Sequence, residues 1–96
     1  MTEDEALTLI SQLLGTGNPI VLREFEFGWL ARERLSEQER SAGMAVGQGS
    51  YIIDRTGVIT AHSSLPPRRI MEEYTQARRE GRIKGRQVWP QPEPRA

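Results

Sequence analysis

The chain of 96 residues offers few side chains whose type and spacing suit catalysis. The one histidine, His62, ends a predicted strand and is followed by Ser63 and Ser64. Neighbouring residues of a strand point to opposite faces, so this adjacency does not make a nucleophile and base pair. A metal site needs three or four ligands, and the chain has no cysteine to add to this histidine. We therefore predict no catalytic residue, no metal site and no cofactor.

Two further patterns are weak signals for chemistry. Glu24 and Glu26 are paired carboxylates, but acid–base catalysis needs a pocket that separates their pKa values, and a solvated sheet face is the simpler interpretation. The glycine-rich stretch MAVGQGS (44–50) precedes a predicted strand and no lysine follows it, whereas a phosphate loop leads into a helix. Both patterns favour a protein that is not an enzyme.

The charge is zero overall but unevenly spread. Residues 1–64 carry five arginines and nine acidic residues, a net −4, while residues 65–96 carry seven arginines, one lysine and four glutamates, a net +4. The basic third could bind phosphates. Interspersed glutamates and the preference of arginine for helix C-termini favour a solvated helix face instead. The basic residues concerned are Arg68, Arg69, Arg78, Arg79, Arg82, Lys84 and Arg86.

The elements that would hold these side chains begin with a helix. Thr2 and Glu5 have the spacing of a capping box, and Gly15 suits the left-handed residue after a helix. Its predicted apolar face consists of Leu7, Ile10 and Leu14, with Ala6 and Leu13 beside them.

The stretch REFEFGWLARER (23–34) alternates apolar and polar residues with period two, which is typical of extended chain. Because Ile20 and Leu22 have the opposite parity, we predict a strand at 19–24, a tight turn or bulge, and a strand at 27–34. Phe25, Phe27 and Trp29 are expected in the core, since a chain with few aromatic residues needs most of them there.

The remaining sequence predicts a second hairpin and a second helix. Residues 51–53 and 58–61 are β-rich and flank the turn DRTG, whose Gly57 suits a left-handed conformation. Ser64 is a plausible helix cap, two prolines fit the first turn, and Gly81 ends the helix. Its predicted apolar stripe is Ile70, Met71, Tyr74 and Ala77.

These elements predict an α+β fold of the order α-β-β-β-β-α, an antiparallel sheet of about four strands covered by an N-terminal and a C-terminal helix. We expect one domain at 1–84 and a Pro-rich, mostly disordered tail at 85–96, in which Val88 and Trp89 are the candidates for docking on the domain. The acidic N-terminus is unlike a signal peptide, and no apolar run approaches the ~20 residues of a membrane span. Together with the absence of cysteine, this favours a cytoplasmic location.

Three motifs together resemble the YrhB-like family of bacteria, also called immunity protein 35. EFGWLARERL, GQGSYIIDRTGVI and SSLPPRRIMEEY are similar to its pattern of a Gly-Trp strand entry, a strand ending Asp-x-x-Gly, and a Pro-led helix with a central aromatic residue. The chain lacks the family's Asn and Pro before the Asp-x-x-Gly strand, and the links before Trp29 and after Arg34 are short. The matching positions are Gly28, Trp29, Asp54, Gly57, Pro66 and Tyr74.

The resemblance implies a non-catalytic, immunity-type protein that binds a cognate toxin encoded nearby and occludes its surface. A chaperone-like role is implied by one relative, and a nucleic-acid-associated regulatory module is the alternative that the basic third leaves open. Exposed acidic residues of the N-terminal two-thirds would attract a basic toxin surface. The predicted partner-binding residues are Glu24, Glu26, Glu33, Glu37 and Glu39. The sequence does not determine the oligomeric state.

Overall fold

The computed structural model describes residues 1–15, 17–34, 37–41, 49–63 and 65–91. Within these residues the fold is α+β, with one antiparallel sheet. The helices are α1 (Glu3–Leu14), α2 (Glu37–Ser41) and α3 (Pro67–Arg79). The strands are β1 (Ile20–Phe25), β2 (Gly28–Glu33), β3 (Ser50–Asp54), β4 (Ile59–His62) and β5 (Arg86–Trp89).

The sheet follows the order of the chain, β1-β2-β3-β4-β5, and every neighbouring pair is antiparallel. The expected count of four strands was wrong, because residues 86–89 pair with β4 as a fifth strand where we predicted a disordered tail. Val88 of this strand packs against the core. Val88 and Trp89 are the two residues named as candidates for docking, but the Pro-rich composition around them did not indicate a strand. The predicted domain boundary at residue 84 otherwise stays a prediction.

Helix α1 begins and ends as the sequence predicts. The Thr2 hydroxyl accepts from the Glu5 amide, the Glu5 carboxylate accepts from the Thr2 amide, and Gly15 takes a left-handed φ of 60°. Its inner face differs from the prediction, since Ala6 and Ile10 are buried while Leu7 is exposed. The helix therefore turns its Ala6–Ile10 line toward the sheet.

The two long helices cover opposite faces of the sheet. Consecutive strand residues point to opposite faces, so Trp29 and Ile53 lie under α1 while Leu30 and Ile52 lie under α3. The α1 face contains the cluster Ala6, Ile10, Trp29, Ala31, Ile53 and Ile59. The α3 face contains the cluster Leu30, Ile52, Ile70 and Tyr74, with Phe25, Phe27, Leu65 and Met71 at its margin.

This arrangement corrects one expectation about the aromatic residues. Trp29 is buried, as expected, and it shares the cluster of Ile10, whereas Ile70 and Tyr74 lie on the other side of the sheet. Phe25 and Phe27 are half-buried on the α3 face. The turn at residues 26–27 breaks the alternation, so the two phenylalanines and the tryptophan do not share one face.

Helix α3 has the predicted apolar stripe and ends in a Schellman turn. Ile70, Tyr74 and Ala77 are buried. Pro66 occupies the N-cap and Pro67 the first helical position, whereas the predicted cap Ser64 lies outside the described residues. At the other end Gly81 takes a φ of 78°, and the amide of Arg82 donates to the Ala77 carbonyl at 2.8 Å.

Candidate functional site

Some of the residues singled out in the sequence lie at one end of the sheet, where the β1–β2 turn (26–27) is beside the β3–β4 turn (55–58). They are Glu24, Glu26, Gly28, Asp54 and Gly57. We call this region the turn end. The two turns are joined directly, since the Arg55 amide donates to the Phe27 carbonyl at 3.2 Å. Two hairpins fixed to each other in this way give an exposed surface with a defined shape.

Gly28 lets the two hairpins approach closely. Its φ is 151°, in the range that favours glycine, and a Cβ there would lie 2.1 Å from the Ile53 carbonyl oxygen. The next residue, Trp29, is only 2% exposed and anchors β2 in the α1-side core. Gly28 and Trp29 therefore hold the beginning of β2 close against β3.

Asp54 organises the second turn from within the protein, since it is 3% exposed. Its Oδ1 accepts from the Thr56 amide at 2.9 Å, the Thr56 hydroxyl at 2.6 Å and the Val58 amide at 3.1 Å. Its Oδ2 pairs with Nη1 of Arg78 on α3 at 3.3 Å. Gly57 completes the turn with a φ of 97°. Asp54 thus connects the β3–β4 turn to helix α3.

Arg55 ties the second turn to the first. Its Nη2 donates to the Phe25 carbonyl at 3.0 Å and its Nε to the Glu26 carbonyl at 3.2 Å. The guanidinium lies 5.0 Å from the centre of the Trp29 ring, a cation–π distance. Sequence reasoning missed Arg55, which no periodicity or capping position distinguishes from a surface arginine, and it assigned Arg78 only to a solvated helix face.

Two of the predicted partner-binding residues lie at the turn end. Glu24 is exposed on β1 and pairs with Arg55 at 3.2 Å, and Glu26 is exposed in the turn and pairs with Arg79 at 3.3 Å. Exposed pairs of this kind contribute only about 0–1 kcal/mol each, so both carboxylates can change partners at little cost.

The other three predicted residues do not join them. Glu33 lies at the far end of β2, roughly 17 Å along the strand from Gly28. Its Oε1 accepts from the side-chain amide Nδ2 of Asn18 at 2.9 Å. Glu37 is exposed on α2. The side chain of Glu39 lies outside what the structure describes.

His62 belongs to an aromatic cluster on the α3 face. The Tyr74 ring makes edge contacts with Phe25, Phe27 and His62 at centroid distances of 5.9, 6.5 and 6.0 Å. Burial, and then the nearby positive charge of Lys84, lower the pKa of His62, while Glu73 opposes them. Burial, and then Asp54, raise the pKa of Tyr74. These positions favour a packing role for His62.

The basic residues of the C-terminal third are largely neutralised by carboxylates. The pairs are Arg68–Glu72, Arg69–Glu73, Arg78–Asp54, Arg79–Glu26, Arg82–Glu80 and Lys84–Glu73. A phosphate chain approaching this face would meet a glutamate beside almost every arginine. This interleaving weakens the case for a nucleic-acid surface.

In residues 1–15, 17–34, 37–41, 49–63 and 65–91, no three histidine, aspartate or glutamate side chains come together as a metal-binding group. No helix in those ranges has the length and apolar character to cross a membrane.

The comparisons with known proteins agree with the three sequence motifs. A family model described as the immunity protein 35-like domain matches residues 4–82, which include both hairpins, all of α3 and all of α1 except Glu3. Comparisons with curated proteins and with solved structures found no match. Since the family model spans most of the sequence, the chain belongs to the immunity protein 35-like family.

Proposed function

We propose that this chain is a non-catalytic immunity-type protein that binds a cognate protein toxin, encoded nearby, in the cytoplasm of the cell that makes it. The observation that carries the proposal is the family match over residues 4–82, because the family's domain indicates an immunity-type role. Binding would neutralise the toxin by covering its functional surface, which requires an ordered and exposed surface on the immunity-type protein.

The turn end supports this role physically. Its backbone is held by the Arg55 bonds to two carbonyls and by the four bonds that Asp54 accepts. A surface that is already ordered loses little conformational entropy on binding, so more of the contact energy appears as affinity. We propose that Glu24 and Glu26 meet basic groups of the toxin there, with Glu33, Glu37 and Glu39 as separate secondary contacts.

Charge reversal tests this surface. The variant carrying Glu24→Lys and Glu26→Lys should bind the toxin at least about tenfold more weakly, because each reversal turns attraction into repulsion. The matched control is Glu3→Lys with Asp4→Lys, which changes the net charge equally on the exposed first turn of α1. Affinity by calorimetry, and rescue of growth in cells that express the toxin, are the two measurements.

Two results would contradict the proposal at different levels. Equal weakening by both double variants would mean that only net charge matters and that the turn end is not the contact surface. If no neighbouring gene product is toxic and no protein is retained, while random DNA binds in a salt-sensitive way, the nucleic-acid alternative replaces the immunity role.

A further inference from the structure

Strand β1 has a free edge whose outward groups can be assigned from the register. The Arg34 amide donates to the Pro19 carbonyl at 2.8 Å, so the 19/34 pair is hydrogen-bonded and the odd residues of β1 bond to β2. Ile20, Leu22 and Glu24 therefore direct their N–H and C=O groups away from the sheet. Within the described part of the chain these three residues have no backbone partner on that side.

A groove of about 460 Å³ runs beside the C-terminal half of this strand and under the length of α3. Phe25 and Met71 form its apolar part. Its polar lining carries both charges and consists of Arg23, Glu24, Glu26, Arg68, Glu72, Thr75, Gln76 and Arg79. An extended chain placed along the edge of β1 would direct alternate side chains toward this groove.

The groove has one basic group without a described partner. Arg68 pairs with Glu72, and Arg79 pairs with Glu26. Arg23 is exposed, and no carboxylate within the described ranges pairs with it. An acidic side chain directly opposite Arg23 would satisfy that charge.

The neighbours of Arg23 on the same face are apolar. Val21, Arg23 and Phe25 point to the α3 side because they alternate along β1, and Val21 is 53% exposed. Cross-strand partners in a sheet pair directly, so the complementary strand places apolar, acidic and apolar residues opposite these three. That pattern is the same in both directions, so it does not depend on whether the added strand is parallel or antiparallel.

We propose that the edge of β1 and its groove bind an extended segment of the protein partner as a sixth strand, with the pattern apolar-x-acidic-x-apolar. That the partner is a toxin rests on the proposed function, whereas the residue pattern of the bound segment follows from the strand edge and the groove alone. The chain's own residues 92–96 are a poor occupant, since Pro92 and Pro94 lack amide donors. They also follow β5, which lies at the opposite edge of the sheet.

The test uses the full chain and a phage library of peptides of about ten residues, the upper length of common strands. Peptides selected against the wild type, with the Glu24→Pro variant as counter-target, should carry the pattern. Glu24→Pro removes an outward N–H without breaking the hydrogen bonds between β1 and β2. Glu24→Ala is the matched control, because it keeps that N–H. Both should unfold at similar temperatures.

A synthetic peptide of the selected sequence should bind Glu24→Pro at least about tenfold more weakly than Glu24→Ala, because both variants lack the Glu24 carboxylate and only the alanine variant keeps the outward N–H. A second variant, Thr75→Trp, keeps the edge but fills the groove, and should weaken binding to a similar extent. In amide hydrogen exchange, Ile20, Leu22 and Glu24 should exchange quickly in the free chain and become protected when the peptide binds.

Three outcomes would overturn the inference. The first is the absence of any peptide selected over the counter-target, and the second is equal binding to Glu24→Pro and Glu24→Ala. The third is protection of the three amides in the free chain. If the protection of these amides in the free chain depends on protein concentration, a second copy of the chain occupies the edge. If deletion of residues 92–96 abolishes the protection, the chain's own C-terminal residues occupy it.

The two proposals fail separately. If the toxin binds Glu24→Pro and Glu24→Ala equally well but binds the double charge reversal more weakly, the immunity role stands and edge addition fails. If peptides bind as described while no protein toxin is neutralised, edge addition stands and the immunity role fails.

Discussion

Replacing Asp54 should be among the most damaging single changes in this protein. Its carboxylate is 4% exposed and accepts four hydrogen bonds, three from the turn and one from Arg78. In Asp54→Ala the turn amides of Thr56 and Val58 lose their acceptor, and the half-buried guanidinium of Arg78 loses its counter-charge. Removing one member of a buried pair costs about 3–5 kcal/mol. Because Arg78 keeps 29% of its side-chain surface in solvent, we expect the lower end, about 3 kcal/mol.

The variant Asp54→Asn separates the two parts of this loss. The side-chain amide has the same shape and keeps an oxygen for the turn, but its NH2 group cannot accept from Arg78. Only the contact with Arg78 is then lost, at about 1–2 kcal/mol. Urea unfolding followed by circular dichroism measures both variants. A loss below about 0.5 kcal/mol for Asp54→Ala, the size of an ordinary surface change, would refute the view that this carboxylate holds the turn end together.

Four further predictions follow from the core and the chain end. Trp29→Ala should lose about 3–5 kcal/mol of stability in the same assay, and near-wild-type stability would mean that the ring is not buried as described. Gly28→Ala should be destabilised by several kcal/mol and lower the melting temperature, because its Cβ would overlap the Ile53 carbonyl. The pKa of His62 is lowered on folding from its ordinary 6.5, so the unfolded chain binds the proton first as the pH falls. Stability should therefore decline as the pH drops below 6.5, and by less in His62→Gln; identical pH profiles for the two proteins would contradict this. Deleting residues 90–96 should leave the melting temperature nearly unchanged, since β5 ends at Trp89, whereas a large drop would place these residues in the folded domain.

Local patterns in the sequence predicted the elements that depend on local physics. The capping box at Thr2, the left-handed Gly15 and the apolar stripe of α3 all act within a few residues, and the structure has each of them. The two hairpins were found for the same reason, because turn chemistry and alternation are short-range signals.

What the sequence did not predict depends on partners distant in the chain. The fifth strand pairs with β4 and packs Val88 against the α1-side core, and nothing within 85–96 specifies that strand partner. Arg55 acts on carbonyls about thirty residues away, at Phe25 and Glu26. The separation of Phe25 and Trp29 onto opposite faces also depends on the turn between them, which alternation alone does not place.

The order of the sheet has a consequence for how the chain folds. Since every strand pairs with its neighbour in sequence, the two hairpins close only residues 26–27 and 55–58, and short loops close with little entropic cost. Hairpins form within about 1–10 μs, whereas a ribosome adds only about 5–20 residues per second. Strands β1 to β4 can therefore pair while the C-terminal residues are still being synthesised. Strand β5 has to wait for α3 to be placed, so it is expected to join last and to be the first strand to fray.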